Sequence, residues 1–410
     1  MRIQAKSGYT LPFTIVVLVV IGLLSFSLYG MIKNERIEAS RRYRSIQASL
    51  ELESGVNYAF HRMQRNGKPW LTDSLMHASA NGEIQFSLSQ KQDGAFGNLT
   101  VYNHDSSRSF SARTGFNIPS SPALVLLTPQ ANISLVGNAR IEGGTAVRTG
   151  SISYSTHYKM HAEKDAYFDT VFVGENLPYF DTLSVYPELG KDQFSTEYTN
   201  DLCIFDGTDV VGKGTQVRCK TVVMQGDSRC VSCKIDADQI TLRGRSTLED
   251  ADIRGRNIQL KDSALVSGTF FAQETLHVSL ERKQEKNLRL IVQGRKTSEV
   301  DYAGSLNIDK LKASDVAVLF IGNNWSETLR GFPVTVAEDV ELRGALISFG
   351  ITDFRGKLTG RAIAMHFGFY EGETLWRGFL RGGQIIGDTT IHTFVPHIIY
   401  LGGEASYEKI

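Results

Sequence analysis

Residues 9–32 form an apolar run without a charged side chain. At 1.5 Å per residue, a helix of this length extends roughly 36 Å and can cross a bilayer core of about 30 Å. Beyond this run, apolar residues recur every three or four positions, which is typical of a helix with one buried face. Asn66-Gly67, followed by Pro69, is a helix stop signal. The pattern therefore predicts one helix over residues 9–66, membrane-spanning first and amphipathic afterwards.

Two further patterns follow the helix. Within 67–120, residues 83–116 alternate between polar and apolar positions in runs separated by turn formers, which predicts a small antiparallel β region. After residue 121, apolar residues recur at a step of 18. Four columns keep this step: Val222, Ile240, Ile258 and Leu276; Met224, Leu242, Leu260 and Val278; Val217, Ile235, Ile253 and Phe271; Cys230, Leu248 and Val266.

Three apolar positions in each repeat, all in register, predict a β-solenoid over residues 121–400, with about 18 residues per coil. The uneven spacing within each coil favours a right-handed solenoid. Two stretches without the step, 155–215 and 281–303, are interpreted as insertions. The first is rich in aromatic residues and would form either a packed cap or a platform for a sugar or partner. The predicted fold class is therefore mainly β, with one long N-terminal helix.

Composition narrows the function further. The chain of 410 residues has 44 basic and 44 acidic side chains, which argues against nucleic acid as a partner. Its four cysteines lie in one short window and favour two disulfides in an oxidising compartment: Cys203, Cys219, Cys230 and Cys233. Buried thiols and a zinc site are the alternatives, although one pair alone has the two-residue spacing of a zinc ligand pair. The pairing of the cysteines stays open.

Other candidate chemistry is sparse. His157 and His161 are four positions apart, but no helix is predicted there to bring them together on a metal, so a solvated face is favoured. Asp250 and Asp252 resemble the acidic clusters of solenoid enzymes that act on polysaccharides, yet charged residues on a coil surface also serve solubility. We find no phosphate-binding glycine loop and no nucleophile elbow. The sequence therefore predicts no catalytic residue, no metal site and no cofactor.

The N-terminus carries the most specific signal. A short basic leader with Arg2 and Lys6 ends in Gly8, and the aromatic Tyr9 opens the apolar run. This start resembles the leader of type IV prepilins and of the pseudopilins of type II secretion. The resemblance covers the leader and most of the predicted helix. It implies that a prepilin peptidase removes residues 1–8 by cleaving between Gly8 and Tyr9, and that the new N-terminal Tyr9 is then methylated.

The same resemblance implies how the helix packs. Its apolar side chains, among them Phe13, Ile15, Val19 and Leu23, would lie in membrane lipid and against the helices of other pilin-like subunits. Phe13 stands at the fifth position of the mature chain, where the family usually has a glutamate. This departure is typical of minor subunits at a filament tip and puts polymerisation as a major subunit in doubt.

The orientation signals disagree. More basic residues follow the apolar run than precede it. The leader contributes Arg2 and Lys6, and the segment after the run contributes Lys33, Arg36, Arg41, Arg42 and Arg44. The positive-inside rule alone would place the bulk of the chain in the cytoplasm. The leader and the cysteines favour a periplasmic or extracellular location instead.

The leading hypothesis is a structural one: a minor pilin-like or pseudopilin-like subunit, anchored in the inner membrane, that presents a solenoid to a surface glycan or protein. In texture, the layout resembles proteins that join a pilin-like helix to a bactofilin-like or adhesin-like β-solenoid. An unprocessed membrane-anchored scaffold or adhesin is the second hypothesis. A solenoid enzyme acting on polysaccharide is the third.

Overall fold

The structure is a computed structural model that describes residues 10–66, 72–80, 84–93, 96–119, 122–128, 130–155, 166–173, 184–185, 199–296, 302–321, 333–372, 374–396, 399–400 and 404–409. These residues form one long N-terminal helix and otherwise mainly β-strands, which confirms the predicted content. The chain forms two compact units. The first unit comprises Met1–His61, Thr72–Ser89 and Leu99–Ser111, and the second comprises Arg62–Leu71, Gln90–Asn98 and Ala112–Ile410.

The helix and the strands have the following bounds. The helix α1 spans Thr10–Asn66. The first twelve strands are β1 (Thr72–Ala80), β2 (Ile84–Asp93), β3 (Phe96–Asn103), β4 (Ser109–Pro119), β5 (Leu124–Leu126), β6 (Ala131–Val136), β7 (Arg140–Glu142), β8 (Thr145–Val147), β9 (Gly150–Tyr154), β10 (Tyr167–Phe168), β11 (Val171–Val173) and β12 (Ser184–Val185). The next twelve are β13 (Asn200–Phe205), β14 (Val210–Val211), β15 (Gln216–Met224), β16 (Arg229–Val231), β17 (Lys234–Leu242), β18 (Thr247–Asp262), β19 (Leu265–Leu280), β20 (Leu288–Val292), β21 (Arg295–Lys296), β22 (Tyr302–Ala303), β23 (Ser305–Lys310) and β24 (Lys312–Phe320). The last nine are β25 (Val334–Val336), β26 (Glu341–Phe354), β27 (Lys357–Glu371), β28 (Thr374–Arg377), β29 (Phe379–Arg381), β30 (Gln384–Ile386), β31 (His392–Pro396), β32 (Ile399–Tyr400) and β33 (Glu404–Lys409).

In the first unit, the second half of α1 packs on strands of the N-terminal sheet. The helix approaches the sheet at Gly55, where an added Cβ would lie 2.4 Å from the Val101 side chain and 3.1 Å from that of Phe86. The Tyr58 ring lies beside Phe86, with ring centroids 5.7 Å apart. The apolar stripe predicted for this part of the helix is confirmed by its buried members in this unit: Ala48, Val56 and Ala59.

The second unit is dominated by an array of parallel strands, here called the parallel array, that pair at the predicted step. Val222 lies opposite Ile240, and Ile240 opposite Ile258. The inward side chains form columns that share one core, and the predicted column Met224, Leu242, Leu260 and Val278 is one of them. Three further columns are as follows. The first runs Val217, Ile235, Ile253, Phe270, Leu290, Val318, Leu346, Ala362 and Leu124; the second runs Cys203, Val222, Ile240, Ile258, Leu276, Leu306 and Val334; the third includes Val211, Cys230, Leu248 and Val266.

One predicted column member is displaced. Phe270, not Phe271, lies opposite Ile253, because the register shifts by one residue between Leu248 and Ala251 and shifts back between Gly255 and Asn257. Phe271 therefore points away from the core of the array. It is nevertheless buried, at 1% exposure.

The burial of Phe271 reflects an outer layer within the second unit. The outward side chains that lie in register with Phe271 on the following strands are also buried: Ile291, Leu319, Ile347 and Ile363. The strands β31 and β33 pair antiparallel with β4, and β31 lies against β24 and β26. These parallel strands are thus buried on both faces, which explains their continuous apolar sequences.

The two predicted insertions differ from expectation. The segment 281–303 contains a core strand, β20, whose residues pair with β19 on one side and β24 on the other. Both ends of the segment 155–215 also join the array, since β10 and β11 pair with β7 and β8, and β13 and β14 pair with β15 and β16. From β13 to β15 and from β14 to β16 the step is one position longer than 18, as in Val211 opposite Cys230. A search for the step of 18 therefore misses β13 and β14.

The spatial order of the strands differs from the chain order. β5 pairs with β27, and β7 pairs with β30, so that β5 and β7 stack beyond the array strands that come last in sequence. β11 and β13 therefore stand at opposite ends of the described array. From β13, the parallel pairings run strand by strand to β19 and onward to β27.

Candidate functional site

The first half of α1 presents an exposed apolar surface. The four side chains singled out in the sequence are all more than half exposed: Phe13 at 70%, Ile15 at 54%, Val19 at 56% and Leu23 at 66%. Within the described residues, this is one helix long and apolar enough to cross a membrane, by length and composition. Gly8 and Tyr9, the predicted cleavage site, lie outside the described residues.

A basic segment follows the apolar surface on the same helix. Its side chains are all exposed: Lys33, Arg36, Arg41, Arg42 and Arg44. Arg42 forms an ion pair with Glu38 one turn earlier, at 3.0 Å. Exposed basic side chains at this position can contact lipid phosphates at the membrane surface.

Glu51 fastens the second half of the helix in the first unit, and sequence reasoning missed it. Its carboxylate is buried, and it accepts hydrogen bonds from the backbone N–H of His104 at 2.9 Å and from Gln47 Nε2 at 3.1 Å. Because this buried carboxylate must face the His104 N–H, it fixes the rotation of the helix about its own axis relative to the sheet. The signal available in the sequence was an acidic residue within the stripe that holds Ala48 and Val56.

The four cysteines form two pairs at disulfide distance, Cys203 with Cys219 and Cys230 with Cys233. The Cα atoms are 6.0 Å apart in both pairs. Cys230 occupies the inward column between Val211 and Leu248, as the step of 18 predicted. The pairs include all four cysteines of the chain.

The two aspartates of the enzyme hypothesis do not converge. Asp252 is 7% exposed and receives the guanidinium of Arg254 at 2.9 Å, with Arg113 and Lys234 each at 3.9 Å. Asp250 is exposed at the register shift in β18, where its φ is 50°. One carboxylate is thus held in an ion-pair cluster while the other faces solvent.

The other candidate residues are distributed as follows. His157 and His161 lie outside the described residues. Within the part of the chain that the structure describes, no group of three or more His, Cys, Asp or Glu side chains is placed to hold a metal ion. A corner groove of about 520 Å³ opens beside Gln284, lined by both basic and acidic side chains.

Gln284 itself is buried, and its side chain forms hydrogen bonds to the backbone at the start of β19. Its Oε1 accepts the backbone N–H of Val266 at 2.8 Å, and its Nε2 donates to the carbonyl of Ala264 at 3.2 Å. The Gln284 side chain thereby satisfies the Val266 N–H and the Ala264 carbonyl, which a neighbouring strand would otherwise pair with. Its role is structural, because these bonds use both ends of the amide.

Comparison with models of protein families, with curated proteins and with solved structures finds no match to this chain. The functional argument therefore rests on the geometry and chemistry described above.

Proposed function

We propose that the protein is a membrane-anchored structural subunit of the minor pilin or pseudopilin type. The apolar half of α1 inserts into the inner membrane and packs against lipid and the helices of other pilin-like subunits. The rest of the chain is presented in the periplasm or outside the cell, where the parallel array meets a glycan or a protein. Its role is structural rather than enzymatic.

The contrast between the two halves of α1 carries the proposal. Residues 13–32 expose their apolar side chains around the whole helix, with Phe26 at 78%, whereas the second half buries Ala59 and Met63 almost completely. Burying such a surface in hydrocarbon is strongly favourable, at about 25 cal/mol per Å². A helix that anchors with one half and packs on a sheet with the other is what the pilin-like leader implies.

The parallel array fits the β-solenoid that the repeat predicts, which we include in the proposal. Supporting it are the inward columns and the parallel pairing of successive strands at the predicted step. In such an architecture each coil covers the apolar side of its neighbour. Electron cryomicroscopy of the full chain in detergent tests this point: strands closing into separate sheets instead of one continuous winding would refute it.

The decisive experiment for the anchor is mass analysis of the protein purified from membranes of its own host. The proposal predicts a chain that lacks residues 1–8 and begins with a methylated Tyr9. A Gly8→Val variant, with a branched side chain at the cleaved bond, is expected to keep its leader. A wild-type chain that still begins at Met1 contradicts the prepilin assignment.

Location is tested separately with a thiol reagent that does not cross membranes, applied to reduced spheroplasts. The proposal expects Cys203 to be labelled. Labelling that requires lysis would place the array in the cytoplasm and overturn the external location.

An unprocessed membrane-anchored scaffold or adhesin is the second candidate. It is favoured by the exposed basic side chains after the span, such as Lys33 and Arg36, and by Phe13 in place of an acidic residue. It shares the anchor but not the cleavage. A full-length chain that remains in the membrane fraction would support this candidate over the first.

A further inference from the structure

The coil formed by β13 and β14, residues 200–211, stands at one end of the described array and is here called the terminal coil. It pairs with the next coil through β15 and β16. Its outward apolar side chains are more than half exposed, with Leu202 and Ile204 at 54% and Val210 at 68%. An end coil is held by one neighbour, whereas an interior coil is held by two, so it opens more readily.

Both disulfides lie at this end. Cys203–Cys219 joins β13 of the terminal coil to β15 of the next coil, across 16 residues of sequence. Cys230–Cys233 lies within the next coil, and Cys230 is covered by Val211 of the terminal coil. One disulfide therefore staples the terminal coil, and the other lies beneath it.

The cysteines differ in their access to solvent. Cys203 is half-buried, while Cys219, Cys230 and Cys233 are exposed by 1% or less. Thiol–disulfide exchange requires a thiolate to reach a sulfur atom, so access decides which disulfide reacts. Cys203 Sγ is the sulfur that a reductant can approach while the terminal coil is docked.

We propose that the terminal coil is a redox-controlled latch with a fixed order of opening. The thiolate of a dithiol reductant attacks Cys203 Sγ, which forms a mixed disulfide and releases the Cys219 thiolate to take up a proton. The second thiol of the reductant then displaces Cys203 as a thiol and leaves the reductant as a cyclic disulfide. Without its staple the terminal coil lifts from β15 and β16, and this uncovers Cys230–Cys233 for a second exchange.

The test uses the full chain in detergent, treated with dithiothreitol under native conditions and quenched at intervals with an alkylating reagent. Peptide mass spectrometry then measures the labelling of each cysteine. We expect Cys203 and Cys219 to be labelled at least about tenfold faster than Cys230 and Cys233, since the buried pair requires a prior opening. Equal rates, or faster labelling of Cys230 and Cys233, would overturn the order.

Two double variants sharpen the test. In Cys203→Ser/Cys219→Ser the staple is absent, and reduction of Cys230–Cys233 should accelerate at least about tenfold. In the matched control, Cys230→Ser/Cys233→Ser, reduction of Cys203–Cys219 should stay within about twofold of the wild type. An unchanged rate for Cys230–Cys233 in the first variant contradicts the latch.

A measurement on the wild-type chain guards against a variant that fails to fold. After partial reduction that opens Cys203–Cys219 alone, hydrogen exchange should accelerate across residues 200–211 and stay slow in β17 and β18. Unchanged protection of residues 200–211 would mean that the staple does not hold the coil, and the proposal would fall. None of these outcomes depends on whether the leader is cleaved.

Discussion

Glu51 is a buried carboxylate on a helix face that otherwise carries small and apolar side chains. Replacing it with alanine leaves the backbone N–H of His104 without its acceptor. We expect Glu51→Ala to lower the free energy of unfolding of the first unit by about 1–3 kcal/mol, measured by urea denaturation. Glu53→Ala, at an exposed position of the same turn, should change it by less than about 0.5 kcal/mol. Equal effects of the two variants would exclude the anchoring role of Glu51.

Gly344 has a φ of 148°, and an added Cβ would lie 1.9 Å from the carbonyl oxygen of Val316 on the neighbouring strand. A side chain there must strain the backbone and push two strands apart. We expect Gly344→Ala to destabilise the second unit by at least about 2 kcal/mol in thermal or urea unfolding. The control is Gly212→Ala, where the nearest atom to an added Cβ is 3.9 Å away. A neutral Gly344→Ala variant would contradict the close approach of these strands.

His366 makes the free energy of unfolding of the second unit depend on pH. Burial, and secondarily the positive charge of Arg377, lowers the pKa of His366 in the folded state. The unfolded chain therefore binds a proton at higher pH than the folded chain does, and the stability of the second unit falls as the pH drops through about 6.5. His366→Gln should flatten the dependence of urea unfolding on pH between about 7.5 and 5.5. The exposed His61, changed to Gln, should leave this slope unaltered.

At the scale of elements, Gln284 shows how a side chain can take the place of a missing strand beside β19. Its amide supplies the hydrogen bonds that β19 would otherwise receive from a strand. Gln284→Ala leaves the Val266 N–H and the Ala264 carbonyl unpaired, so we expect a loss of about 1–3 kcal/mol in the free energy of unfolding. Glu285→Ala, at an exposed neighbour, is the control and should be neutral. Slow hydrogen exchange at Val266 in the Gln284→Ala variant would argue against this role.

The helix and the inward columns were predictable because both follow a fixed period. The step of 18 located the core positions from Val217 to Val278 with the single displacement of Phe271, where a shift of one residue is invisible to a periodic search. β20 was missed because its apolar residues are flanked by charged segments, which dominate the composition of 281–303. Strands buried on both faces lack the alternation that marks a strand in sequence.

The candidate site was predictable to a lesser degree. The apolar run identified the exposed half of α1, and the repeat placed Cys230 in an inward column. The pairing of the cysteines was not predictable, because a sequence contains no distances between coils. Glu51 was missed because an acidic residue within an apolar stripe indicates a buried contact only once its hydrogen-bond partner is known. Gln284 was missed because it lies in a charged run, where nothing in the sequence marks one polar residue as buried.

At the scale of the whole molecule, the proposed membrane anchor rests on the exposed apolar half of α1. Val19→Arg places a charge near the middle of the apolar run, at a cost of about 2.5–3.5 kcal/mol for insertion at the helix centre. We expect a reduced membrane fraction for this variant in sucrose flotation. Ile46→Arg is a matched control, since Ile46 is 61% exposed on the same helix but lies beyond the apolar run. Equal flotation of both variants and the wild type would contradict insertion of this segment.

The spatial order of the coils could not be predicted at this scale. Leu124 lies opposite Ala362, and 362 − 124 = 238 positions separate them. A repeat of fixed step relates neighbours in sequence, and it contains no information about a coil that joins the far end of the array.

This non-sequential stacking also concerns the making of the protein. The strand β5 leaves the ribosome long before its partner β27 exists, and at about 5–20 residues per second the wait is on the order of 10–50 s. During that time the edges of β5 and β7 have no partner from the later coils, a condition that invites wrong pairing with other chains. Completion of the array is then a late event, timed by the C-terminal third of the polypeptide.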